Sequence, residues 1–156
     1  MIVIKTADEA FMYKTILVPI DLLEDDLNPE IIKHVEQLAK LGSPKIHFLS
    51  VIPSVELFFG IEVAILPESQ KDSAERSKLA FRALEDIIKN VNIPDERIVC
   101  NIGIGSAKDE ILSYATDINA DLIVIGSHHP STTTYLLGST ASTIVRHANT
   151  SVLVIR

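Results

Sequence analysis

Leu122-Ile-Val-Ile-Gly126 has no polar side chain and empties directly into Ser127-His-His-Pro130. A strand with no polar face cannot turn one side to water, so it belongs in a parallel sheet covered by helices on both faces. Thr15 to Pro19 has a similar character near the start of the chain, and Ser151 to Ile155 closes it with another apolar strand. Strand and helix patterns alternate throughout and end on a strand. That order predicts an α/β fold, a single five-stranded parallel open sheet joined by right-handed crossovers.

The intervening segments carry start and stop signals. Asn28-Pro29-Glu30 predicts a capping side chain, a proline at the first helical position and an acid in the first turn. Ile31, Val35 and Leu38 follow at helical spacing, and Gly42-Ser43-Pro44 ends the helix near Leu41. Lys45 to Ile52 reads as the second strand. Ile52 to Leu66, with Phe58, Phe59 and Gly60, reads as an apolar loop, either tucked on its own domain or packed over the sheet edge, a ligand or another subunit. Ser69 to Asn90 predicts a long helix with Leu79, Ala83, Leu84, Ile87 and Ile88 on its apolar face. Arg97 to Ile102 is a third strand, turned by Gly103-Ile-Gly-Ser106. Ser106-Ala-Lys-Asp109 then resembles a capping box ahead of Ile111, Leu112, Ala115 and Ile118.

The chain has 156 residues, 47% of them hydrophobic, which suits one well-buried domain. Its formal net charge of -7 argues against nucleic acid or an anionic membrane as the main partner, because both call for a basic surface. Cys100 is the single cysteine, which excludes an intrachain disulfide and a cysteine-built metal site; it reads as a buried, inert thiol. The N-terminus lacks the pattern of a signal peptide, and no apolar run approaches a membrane span, so a cytoplasmic protein is expected. Residues 1–12 read as a short arm or a mis-called start ahead of a domain over 13–156, since Met12 would serve as a start.

In open α/β sheets ligands bind beyond the carboxyl ends of the strands, where the strand order reverses. Pro19-Ile20-Asp21, Gly103 to Ser106 and Gly126 to Ser131 all fall at that end. Gly138-Ser139 opens an amphipathic helix from Ala141 to His147, whose first turn offers free N–H groups and the positive end of a dipole to an anion. The same two residues equally suit a glycine that relieves strain and a serine that caps the helix. Asp21 is either a ligand acceptor or a cap for the loop Leu22 to Asp26. His128 and His129 are adjacent, so their side chains diverge, and with no third ligand at useful spacing they do not make a metal site.

Ile16-Leu-Val-Pro-Ile-Asp21, Leu122 to Pro130 with Leu136-Leu-Gly-Ser-Thr140, and Ser151 to Ile155 together resemble the universal stress protein family. The run from Ser127 to Ser139 looks like its F/G-type branch, of the form S-H-x-P-x-x-T-T-Y-L-L-G-S. The resemblance implies a Rossmann-like fold of the adenine nucleotide alpha hydrolase kind and binding of ATP, with Mg2+ carried in by its phosphates. It places Pro19, Ile20 and Asp21 on the adenosine side and Val51 against adenine. On the phosphate side it places Gly126, His128, Gly138, Ser139 and Thr140, with His129 and Ser131 carried over from the same loop. ATP-binding members show G-x-x-G, nine residues, then G-[ST]; here His129 replaces the second glycine, Pro130 follows, and eight residues lead to Gly138. With nucleotide binding retained, as the F/G-type resemblance implies, side-chain donors from His129, Ser131 and Ser139 are expected to replace the lost backbone amides.

The function implied is a nucleotide-dependent regulatory module of the stress response, with no catalytic residue assigned. Two alternatives stand beside it: a nucleotide-free dimerising scaffold, and a weak ATPase or autophosphorylating protein. Against fast turnover, the chain has no GxxxxGK[ST] motif, and Arg146 lies about two turns along the final helix. Related enzymes that cleave between the α and β phosphates carry serine-glycine-glycine after the first strand, where this chain reads Pro19-Ile-Asp-Leu-Leu. The family resemblance also implies a homodimer through the C-terminal strand, whose edge would otherwise be uncovered.

Overall fold

The structure is a computed structural model that describes residues 13–24, 26–54, 73–127 and 137–156. β1 (Thr15–Pro19) is the middle strand of a five-stranded parallel sheet. To one side lie β2 (Lys45–Ile52) and then β3 (Ile98–Ile104); to the other lie β4 (Leu122–Gly126) and then β5 (Ser151–Ile155). The order β3-β2-β1-β4-β5 therefore reverses between β1 and β4, where Ile16 pairs with Leu122 and Leu17 with Ile123.

Four α-helices are described: α1 (Leu27–Lys40), α2 (Ser73–Ile88), α3 (Ala107–Asp117) and α4 (Ser139–His147). Alternate residues of each central strand feed separate cores. Ile16, Val18, Phe48 and Val124 pack with Val35 of α1 and Leu84 of α2. Leu17, Leu49, Ile123 and Ile125 pack with Ile111 of α3 and Ile144 of α4. The sheet is thus apolar on both faces, which is why its middle strands read as unbroken apolar runs.

Several local expectations change. α1 begins at Leu27 with Asp26 at the cap position, and no side chain caps it. Asn28 instead lies inside the first turn, buried, its amide turned to the Asp21 carbonyl at 2.7 Å. Pro29 is accommodated because first-turn N–H groups have no partner within the helix. On α2 the buried line is Ala80, Leu84 and Ile88, an i, i+4, i+8 series, while Leu79 is 56% exposed. The expected start of that helix at Ser69, and residues 55 to 66 of the expected loop, lie outside the described residues.

β3 runs on to Ile104, two residues past its expected end, with Gly103 inside the strand and paired to Val51. The turn falls at Gly105, whose φ of 147° lies in the region that glycine alone enters freely. Ser106 stands at the cap of α3 in extended conformation, but its side chain makes no capping hydrogen bond, so the capping box is not formed. Ser139 likewise does not cap α4; Gly138 holds the cap position and Ser139 is the first helical residue. Cys100 is half-buried rather than buried, because β3 is an edge strand.

Candidate functional site

Beyond the carboxyl ends of β1 and β4 the described residues leave a crevice of about 250 Å³. It sits at the reversal of strand order, the place where open α/β sheets bind ligands. Pro19, Ile20 and Asp21 line it from β1, Val51 from β2 and Gly126 from β4. Gly138, Ser139 and Thr140 line it from the start of α4. The structure thus brings these sequence-derived positions together from four separate segments. His128, His129 and Ser131 lie outside the described residues.

The floor is apolar, with Leu49, Ile111 and Ile125 among its residues, and suits a flat hydrophobic group. The α4 side is different. Its helix has nine residues and, among the described residues, no side-chain cap, so its first-turn N–H groups and dipole face an anion without competition from those residues. Ser142 Oγ donates to the Ser139 carbonyl at 3.1 Å, leaving that first turn's amides uninvolved in this bond. Gly138 has φ -56° and ψ 159°, torsions open to any residue, so glycine there is not demanded by backbone strain.

Gly126 has a packing reason of its own. A Cβ at this position would meet the Leu27 side chain and lie 3.2 Å from Ile31 Cδ1. The first turn of α1 therefore crosses the end of β4 too closely for any side chain. Gly126 lines the crevice as well.

The wall between β1 and α1 contains polar residues that sequence reasoning missed. Glu24 is 6% exposed, Asn28 is 5% exposed, and both line the crevice. Asp21 is exposed, and its Oδ1 accepts the Leu23 N–H at 2.9 Å. Its carbonyl accepts from the Glu24 N–H at 3.2 Å and from Asn28 Nδ2. The loop-cap reading of Asp21 is thus realised by one carboxylate oxygen. Among the described lining residues two carry carboxylates, Asp21 and Glu24, and none is Lys, Arg or His. No sequence signal marked Glu24, and Asn28 was masked by its resemblance to a helix cap.

The universal stress protein family model matches residues 12–156. The chain belongs to the universal stress protein family. Universal stress protein G of Escherichia coli O157:H7 is 38% identical over 149 residues, spanning 93% of this chain and all of that one. The structure of the universal stress protein UspA from Lactobacillus plantarum superposes with a TM-score of 0.69 at 27% identity, covering 92% of this chain and 98% of that one. A universal stress protein from Archaeoglobus fulgidus, solved in complex with dAMP, matches with a TM-score of 0.65 at 18% identity, a likeness of fold, over 93% of this chain and 99% of that one. The F/G-type loop pattern agrees with the match to universal stress protein G. Among the described residues, no helix is long and apolar enough to cross a membrane.

Proposed function

We propose that this universal stress protein binds an adenine nucleotide in the β1/β4 crevice, ATP together with Mg2+, and acts as a nucleotide-dependent regulatory module in the cytoplasm. The observation that carries the reading is the convergence of Pro19, Ile20, Asp21, Val51, Gly126, Gly138, Ser139 and Thr140 on one crevice beside an uncapped helix N-terminus. In this reading the apolar floor takes the base, with Val51 against it, and Asp21 accepts from the ribose. The first turn of α4 takes phosphate oxygens, assisted by His128, His129 and Ser131. With two carboxylates and no cationic side chain among the described lining residues, a triphosphate would need its own counter-charge. Mg2+ supplies it, held by the phosphates and water with few protein ligands. The dAMP complex of the Archaeoglobus fulgidus relative supports adenine nucleotides as the ligand class.

A homodimer through β5 is part of the same proposal. Among the described residues β5 pairs with β4 alone, and Val152, Leu153 and Val154 are half-buried, giving an apolar edge that a second copy would cover. Nucleotide occupancy regulates only if it favours one conformation or partner over another.

Calorimetric titration of Mg-ATP into nucleotide-stripped protein tests the reading. Saturable binding is expected, and Gly138→Val, whose side chain would enter the crevice without straining the backbone, weakens it by at least about tenfold. An absence of binding heat at several temperatures overturns the proposal.

A further inference from the structure

The Asp21 knuckle is built more tightly than a loop cap requires. Its carbonyl accepts two donors, the Glu24 N–H at 3.2 Å and the Asn28 amide at 2.7 Å, while its own Oδ1 holds the Leu23 N–H at 2.9 Å. Asn28 is 5% exposed, and its side chain reaches back seven residues from inside the first turn of α1. The bond does not cap the helix, because it runs to a carbonyl, whereas the unsatisfied groups of a helix start are N–H donors. A solvated loop needs none either, because water would serve the carbonyl. The bond fixes the direction in which the chain leaves β1, and hence where the Asp21 carboxylate stands at the mouth of the crevice.

We propose that Asn28 is a positioning residue that sets selectivity for ribose hydroxyls by holding Asp21, and that this chain therefore discriminates ribonucleotides from their dideoxy counterparts. The inference rests on the nucleotide reading above and deepens it. A carboxylate discriminates hydroxyls only where its direction is fixed, since a mobile one is satisfied by water whether or not the ligand donates. Asn28 supplies that fixity from a rigid helix. Asp21 and the start of α4 line the same crevice, so an acceptor and backbone N–H donors are both offered to a ligand with hydroxyl donors at one end and an anion at the other.

The test is titration of the full chain with Mg-ATP and with Mg-2′,3′-dideoxy-ATP, comparing wild type, Asn28→Asp, Asn28→Ala and Asp21→Asn. Wild type is expected to favour ATP by about tenfold or more, the scale of a hydrogen bond to a charged group. Both Asn28 variants are expected to bring the ratio close to one, with the dideoxy affinity kept within about threefold, and Asp21→Asn to do the same. Retention of the ratio in Asn28→Asp, or equal weakening of both ligands, overturns the proposal and makes Asn28 a support of the wall alone. Binding of both ligands equally by wild type overturns it while leaving the nucleotide site standing. Binding of neither overturns both. Far-UV circular dichroism checks folding; if neither Asn28 variant folds, an unchanged ratio in Asp21→Asn is itself sufficient to overturn the inference.

Discussion

The carboxylate of Asp121 accepts the backbone N–H of Lys14 at 2.9 and 3.1 Å from its two oxygens, joining residues 107 apart in the chain. Oδ1 also accepts the Thr15 N–H at 3.1 Å, and the Asp121 N–H donates to the Thr15 carbonyl at 2.9 Å. One side chain thus locks the starts of β1 and β4, the two strands whose opposite ends bound the crevice. Asp121→Ala leaves backbone donors at a part-buried strand start without their acceptor and is expected to cost about 1.5–3 kcal/mol, the range for hydrogen bonds to a charged group. Urea unfolding should show a lower midpoint with an unchanged slope. An unchanged midpoint would mean water replaces the carboxylate without loss.

Gly126 and Leu27 give a second prediction. The added Cβ of Gly126→Ala collides with the Leu27 side chain, and overpacking of this kind costs about 1–3 kcal/mol. If the collision is the cause, the same substitution in a Leu27→Ala background costs clearly less. Chemical unfolding of the two single variants and the double variant forms the cycle. Additive effects would place the cost of Gly126→Ala in the strand rather than in the contact with α1.

The sheet was legible because its middle strands are buried on both faces and so carry unbroken apolar runs; β1, β2, β4 and β5 stand where the pattern put them. The end of β3 was not, because Gly103 looks like a turn residue. It is a strand residue whose missing side chain makes room for Glu110, whose Oε2 would lie 3.0 Å from a Cβ there. Capping motifs misled at three places, Asn28, Ser106 and Ser139, since a capping residue type also serves long-range bonds or simply faces solvent. The crevice was legible where glycines and strand ends announce it. Its buried wall was not, for Glu24 and Asn28 become lining residues only through the path of the loop between β1 and α1.

Cys100 offers a test of burial on an edge strand. Burial foremost, and the nearby Glu85 carboxylate next, push its thiol above the usual cysteine range. The thiolate is the reactive species, so the native protein is expected to react with a disulfide reagent at pH 8 well below the rate of the urea-unfolded chain. Glu85→Gln should speed the native reaction slightly and leave the unfolded rate unchanged. Equal native and unfolded rates would mean that the half-buried sulfur is as accessible and as acidic as a free cysteine.

His47 connects the protein's stability to pH. Its Nδ1 lies 3.1 Å from the Tyr114 hydroxyl, and the two rings meet edge to face with centroids 5.8 Å apart. Burial foremost, with the Lys45 charge adding to it, lowers its pKa from the ordinary 6.5. The folded state therefore favours the neutral ring, which with its proton on Nε2 accepts the Tyr114 hydroxyl at Nδ1. As pH falls the unfolded chain takes up the proton first, so it binds more protons than the folded one between the two pKa values. The contribution of His47 is full above about 6.5 and is lost as pH falls through the lowered folded value, below which it stays constant. Urea unfolding of wild type and His47→Gln at pH 7.5 and pH 5 isolates it from the other histidines. Wild type is expected to lose more stability than the variant over that interval, by less than about 1 kcal/mol because the ring is only partly withdrawn from water. Equal losses in the two proteins would show that burial and Lys45 do not hold the folded His47 below its ordinary pKa.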